Sequence, residues 1–153
     1  MFRRYRGVRP LNMEQMALLQ QANQLMLDGK PGEAGPRFVQ LARQMQATRR
    51  PRRAANLFAR AANAFVDSHD EQAALTQARS ALSLGLQHQM VQRTPVFFAN
   101  ITRKMNDKGM KSAAGALQQE FGAQIASKPP APPQESQPRR GLLPTICLNT
   151  AVA

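Results

Sequence analysis

Apolar residues recur along the chain at the three- and four-residue spacing of amphipathic helices. One such series consists of Met16, Leu19, Ala22, Leu25 and Met26, and a later one of Leu57, Phe58, Ala61, Ala62 and Phe65. Polar segments with glycine or helix-capping residues, such as LDGKPGEA and VDSHDEQA, separate the series. The pattern predicts six helices, at residues 12–28, 32–46, 53–67, 70–86, 95–107 and 111–127.

The apolar pattern also repeats every 40 residues. Alanine recurs at Ala34, Ala74 and Ala114, and larger residues recur in two further sets, which are Leu18, Phe58 and Phe98, and Leu25, Phe65 and Met105. Each period holds two predicted helices. Because one helical hairpin cannot bury its apolar face alone, we expect three hairpins to stack on a shared core. The predicted fold class is all-α, a short α-solenoid of three helical hairpins.

The repeat resembles the tetratricopeptide family. The residues that carry the resemblance are Phe58, Ala61, Ala62, Phe65, Ala74, Ala78 and Ala81 in the second copy, Gly29, Glu33, Ala34 and Phe38 in the first, and Phe98, Gly109 and Ala114 in the third. The match covers residues 12–127. The family repeats every 34 residues, so the additional residues of this chain are assigned to the segments ATRRPRRA and QHQMVQRT. Leu86 stands where the family places a closing proline.

A tetratricopeptide-like solenoid implies a protein–protein interaction module or scaffold that holds a protein or peptide segment on its concave face. The first helix of each hairpin lines that face. Polar residues recur there that can clamp a peptide backbone or a carboxylate. The candidate partner-binding residues are Gln20, Asn23, Arg60, Asn63, Asn100 and Arg103.

Basic residues outnumber acidic ones by 21 to 9, for a formal net charge of +12. The excess arginines precede the first helix of each repeat, so in a stacked solenoid they should line one edge. Candidate polyanion-binding residues are Arg3, Arg4, Arg6, Arg49, Arg50, Arg52, Arg53 and Arg93. One arginine guanidinium can donate two parallel hydrogen bonds to a phosphate or a carboxylate. The alternative function is therefore nucleic-acid or polyanion binding. The other interpretation is that these arginines lie in solvated loops and bind no ligand.

Two other features bear on partners. Most methionines fall on apolar stripes and are predicted to be core, whereas Met13, Met90 and Met110 lie off the stripes and could form an adaptable peptide groove. The open ends of a short solenoid also allow a homo-oligomer. Leu117, Phe121 and Ile125 form a stripe on the last helix that either packs inward or meets a second molecule.

The residues contain no pattern of an enzyme. Asp67, Asp70 and Glu71 cluster beside His69, but this segment joins two predicted helices, and Asp70 is typical of an N-cap. HExxH, GxSxG, CxxC and glycine-rich phosphate motifs are lacking, so we expect no catalytic residue, no metal and no cofactor. A single cysteine, Cys147, excludes a disulfide framework.

The terminal segments differ from the repeats. Residues 1–11 form a basic arm, residues 128–141 are a proline-rich linker, and residues 142–153 are a tail. The tail residues Leu143, Pro144, Cys147 and Asn149 resemble the start of a zinc ribbon, but Thr150 occupies the place of the second cysteine. The alternatives for the tail are a truncated zinc-ribbon start and a disordered segment with a free thiol. The sequence contains neither a membrane-spanning run nor a secretion signal, so we expect a cytoplasmic protein.

Overall fold

The computed structural model describes residues 10–127, and over that range the chain is all-α without strands. The helices are α1 (Met13–Leu27), α2 (Pro31–Ala47), α3 (Pro51–Asp67), α4 (Glu71–Gln87), α5 (Arg93–Asp107) and α6 (Lys111–Ala126). All six predicted helices are confirmed, with ends within two residues of those expected. The largest differences are at the starts of α3 and α5, each of which begins two residues early.

Proline and polar caps fix several helix starts. Pro31 and Pro51 are the first residues of α2 and α3, where the missing N–H costs nothing. Asn12 caps α1 by accepting a hydrogen bond from the Gln15 backbone N–H (2.7 Å), and the Gln15 side chain accepts one from the Asn12 N–H (3.2 Å). Asp70 accepts a hydrogen bond from the Ala73 N–H (3.1 Å), which confirms its prediction as an N-cap of α4.

The turns between helices repeat every 20 residues, at half the period of the sequence repeat. The residue after each C-cap has positive φ, at Gly29, Arg49, His69, Gln89 and Gly109. The next N–H then bonds back to the carbonyl five residues earlier, as from Lys30 to Leu25 and from Arg50 to Met45. This is the Schellman ending of a helix. The connection between hairpins therefore begins in the same way as the turn inside a hairpin.

The two segments to which the additional residues are assigned contain the connections between hairpins. Only residues 48–50 connect α2 to α3, and residues 88–92 connect α4 to α5. Most of ATRRPRRA is therefore helical, whereas most of QHQMVQRT is the connection itself. A connection of three residues is as short as those inside the hairpins, so consecutive helices run antiparallel throughout the stack.

Consecutive helices share one apolar core, and the main packing beyond neighbours joins α4 to α6 and α3 to α5. Alanines at the recurring positions, including Ala22, Ala62 and Ala74, are fully buried and let helices approach closely. Packing of consecutive helices is that of a helical repeat, as the α-solenoid prediction requires. On α6, Leu117 and Phe121 are buried in this core, so these two residues of the predicted stripe pack inward.

The arm residues Arg3, Arg4 and Arg6, the linker at 128–141 and the tail with Cys147 lie outside the described residues. Within residues 10–127, every helix is too short or too polar to cross a bilayer.

Candidate functional site

A groove runs between α1 and α3, with α2 as its floor, and its volume is about 550 Å³. We name it the α1–α3 groove; it is lined by Leu11, Met16, Leu19, Gln20, Leu41, Met45, Arg53, Asn56, Leu57 and Arg60. Six of these side chains are apolar, and two are arginines. The groove therefore offers an apolar surface with positive charge along its α3 wall.

The groove exists because α1 and α3 both pack on α2 while making few contacts with each other. Its outer wall depends on the capped start of α1. Leu11 precedes the N-cap Asn12, and Met16 is the fourth helical residue, so the two occupy the positions of a hydrophobic staple. Both residues line the groove, and Met16 remains 49% exposed. An apolar wall is thus held open to solvent.

Arg60 is held in a defined position on the α3 wall. One of its terminal nitrogens donates a hydrogen bond to the side-chain oxygen of Asn23 on α1 (2.6 Å). Its guanidinium also lies 4.7 Å from the ring centroid of Phe38, which is buried on α2. A guanidinium stacked on a ring can still donate hydrogen bonds through its remaining N–H groups, which lie in the plane of the guanidinium. Arg60 therefore bridges both hairpins and still has donors for a ligand.

The six predicted partner-binding residues fall into three groups. Gln20 and Arg60 line the α1–α3 groove, and Asn23 supports Arg60. The side chain of Asn63 donates to the carbonyl of Ala59 on its own helix (3.0 Å), so its amide is turned along α3. Asn100 and Arg103 are exposed on α5 and are not part of the groove wall. The structure thus concentrates three of the six at one junction.

Sequence reasoning placed several groove residues elsewhere. Met16 and Leu19 were expected in the core, because their spacing matches the apolar stripe, yet Met16 is exposed and Leu19 is half-buried. Of the three methionines expected off the stripe, Met13 is exposed, Met90 is half-buried against the core, and Met110 is buried. Apolar residues outside the named series on the first helix, such as Leu18 and Leu27, were the available signal for a second apolar face.

The predicted arginine edge lies along the side of the solenoid where α1, α3 and α5 begin, and we call these helix ends together the basic end. Because the helices alternate in direction, the starts of α1, α3 and α5 lie there together. Arg50 donates to the carbonyl of Pro10 (3.4 Å), which joins the turn before α3 to the start of α1. Within residues 10–127 the predicted edge residues at this end are Arg49, Arg50, Arg52, Arg53 and Arg93.

The acidic cluster around His69 is engaged in structural contacts at the opposite end. Asp67 pairs with Lys104 of α5 (2.8 Å), and Asp70 caps α4. Glu71 accepts a hydrogen bond from the backbone N–H of Ala113 (2.9 Å), so it caps α6 from a neighbouring hairpin. His69 is exposed with φ of 59°. In the described part of the chain, His, Cys, Asp and Glu side chains form no group of three or more that could hold a metal ion.

Comparisons with known proteins found no matching family model, no matching curated protein and no matching solved structure.

Proposed function

We propose that residues 12–127 form a non-enzymatic protein–protein interaction module, a tetratricopeptide-like scaffold of a cytoplasmic protein. The partner contributes a peptide segment that lies in the α1–α3 groove. The observation that supports this function is the groove itself, an apolar surface between two hairpins that no other part of residues 10–127 covers, beside two arginines without an ion-pair partner in that range.

The lining of the groove defines the chemistry of the partner segment. Leu19, Leu41 and Leu57 accept apolar side chains, and burying each such side chain contributes about 1.5–3 kcal/mol. Arg53 and Arg60 line the same groove, and neither has a carboxylate partner within residues 10–127. A carboxylate of the ligand would satisfy them. The matching segment is therefore amphipathic, with apolar residues on one side and acidic residues beside them.

The test uses a phage-displayed library of random peptides about 16 residues long, selected on the full chain. We expect enriched peptides to combine apolar residues at helical spacing with aspartate or glutamate. Their affinities are then measured by fluorescence anisotropy for the wild type and for two variants. Met16→Glu places a charge on the wall of the groove and should weaken binding at least about tenfold.

Met13→Glu is the matched control, since it makes the same change one turn earlier on α1, at a residue that is 88% exposed and does not line the groove. Its effect should stay below about twofold. The proposal fails if selection enriches no common peptide, or if the two substitutions weaken the selected peptides equally. Circular dichroism of both variants checks that α1 remains folded.

A further inference from the structure

A second groove lies at the basic end, where the start of α3 faces the connection from α4 to α5. Its volume is about 480 Å³, and we name it the Arg52–Arg93 groove. It is lined by Arg52, Asn56, Gln89, Met90, Val91, Gln92 and Arg93. Asn56 also lines the α1–α3 groove, so it forms the ridge between the two. We propose that the Arg52–Arg93 groove binds the phosphate backbone of a nucleic acid.

Five of the seven lining residues carry side-chain N–H donors, which suits phosphate better than an apolar peptide. Arg52 and Arg93 provide guanidinium groups from two successive hairpins, and three amide side chains provide further N–H donors. No acidic residue is part of the lining. Guanidinium binds phosphate oxygens with two parallel hydrogen bonds, and amides of asparagine and glutamine are common phosphate contacts. The groove is therefore rich in donors for anionic oxygens.

The arginines of this groove are free to bind. Arg52 and Arg93 are both exposed. The ion pairs within residues 10–127 join Arg79 to Glu120 and Lys104 to Asp67, so neither groove arginine has a carboxylate partner there. Two arginines at one groove without a counter-charge create a local positive potential that attracts an anionic ligand.

Charge is also segregated along the helices, which indicates an extended ligand. Of the eight described acidic residues, six lie at the opposite helix ends, where α1, α3 and α5 end. They are Asp28, Glu33, Asp67, Asp70, Glu71 and Asp107. The basic end carries arginines from both the α2–α3 turn and α5. This positive strip crosses two hairpins, because Arg52 lies on α3 and Arg93 on α5. A polymer with one charge on every unit can follow such a strip, whereas a single small anion cannot.

The expected binding mode contacts phosphates without reading bases. No aromatic side chain lines the Arg52–Arg93 groove, so it lacks the stacking surfaces of proteins that hold single-stranded bases. Backbone contacts carry little sequence information. Affinity should therefore be independent of sequence and should fall steeply as salt rises, because each phosphate contact releases counterions.

The experiment measures binding of the full chain to fluorescein-labelled oligouridine of about 20 nucleotides across a salt series. The double variant R52A/R93A is compared with K108A/K111A, which removes the same charge from exposed lysines at the opposite end. We expect R52A/R93A to lose about tenfold or more in affinity and to lower the salt slope by about 1.4, the sum for two contacts. K108A/K111A should stay within about twofold of the wild type.

Two further measurements identify the ligand class. R52K/R93K keeps the charge but not the paired hydrogen bonds, so it should retain the salt slope and lose part of the affinity. Polyglutamate of similar length replaces oligouridine in a parallel series. Equal effects of the two double alanine variants would overturn the proposal, as would tighter binding of polyglutamate through the same arginines. Because Met16 does not line the Arg52–Arg93 groove, Met16→Glu should leave oligouridine binding unchanged, which distinguishes this proposal from the peptide-binding function.

Discussion

The two junctions between hairpins are built from the same repeat but are held together differently. At the first junction, α2 and α3 pack closely, and the ring of Phe65 lies so near Gly35 that a Cβ there would be 2.7 Å from the ring. At the second junction, α5 packs less extensively on α4. Arg60 and Asn23 also join the hairpins at the first junction. At the second junction more polar contacts accompany the smaller packing surface, through Lys104 and Asp67 and between α4 and α6. A common backbone plan therefore does not impose a common source of stability.

The second junction also contains a buried hydroxyl without a hydrogen-bond partner within residues 10–127. The hydroxyl of Thr94 on α5 has no hydrogen bond in the described part of the chain, and Thr94 packs directly on Gly85 of α4. A buried, unsatisfied hydroxyl costs about 1–3 kcal/mol. Since exposed ion pairs contribute little, α5 and α6 should open before α2, α3 and α4. Hydrogen exchange should show the lowest protection in the third hairpin.

The largest effect is expected from Phe65→Ala, which empties the ring contact at the first junction. Phe65 is buried, so the substitution should lower the free energy of unfolding by about 3–5 kcal/mol. Urea unfolding followed by circular dichroism measures this loss. A loss below about 1.5 kcal/mol would contradict the role assigned to the interlocked ring, because so small a value is typical of a readily repacked site.

A matched pair of glycines sharpens the same comparison. Gly35→Ala should destabilise the protein by about 1–3 kcal/mol, because the new methyl group collides with Phe65. Gly115 lies two repeats later on α6 with nothing within 4 Å of a Cβ. Gly115→Ala should therefore stabilise the helix by about 0.5–1 kcal/mol. Thermal unfolding of both variants gives the two signs, and equal signs would show that Gly35 does not serve close packing.

Glu71→Ala tests the cap that α4 provides for α6. The Ala113 N–H would lose its carboxylate acceptor, and Met110, the N-cap residue of α6, provides no side-chain cap of its own. We expect a loss of about 1 kcal/mol in stability, concentrated in the hydrogen-exchange protection of α6. Gln72→Ala, at an exposed neighbour, is the control. Uniform loss of protection over all helices would argue against a local cap.

The smallest effect is expected from Arg79→Ala at the ion pair between α4 and α6. Arg79 and Glu120 form two hydrogen bonds, one of them at 2.8 Å from Nε to the carboxylate, but both side chains are over 40% exposed. Removal should cost about 0.5 kcal/mol at low salt and close to nothing at about 1 M salt. Chemical unfolding at the two salt concentrations measures the difference. A loss unaffected by salt would show that packing of the arginine stem is responsible.

Sequence periodicity was enough to predict the six helices and their stacking, because burial of each apolar stripe determines both. The contacts between repeats could not be predicted in this way. Asn23 and Arg60 are 37 residues apart, as are Asp67 and Lys104, so each pair is one helical turn out of register with the 40-residue repeat. Alignment of equivalent positions therefore places Arg60 beside Gln20 and Asn100, not beside its partner.

The candidate site was likewise predictable from the sequence only in part. The arginine edge was predicted because it depends only on which helix ends lie together. Its separation into two grooves by Asn56 depends on how far α1, α3 and α5 stand apart, and helix spacing is set by side-chain volumes at α2 and α4. A one-dimensional pattern contains no such distance.

The principal helix contacts join helices one or two places apart in the chain, and this topology also determines how the chain folds. Such a topology has low contact order, and domains of this kind fold in microseconds to milliseconds. The interlocked α2, α3 and α4 are complete by Gln87, before α5 begins. During synthesis, this nucleus can therefore form while the third hairpin is still within the ribosome, and α5 and α6 then add to a surface that is already in place.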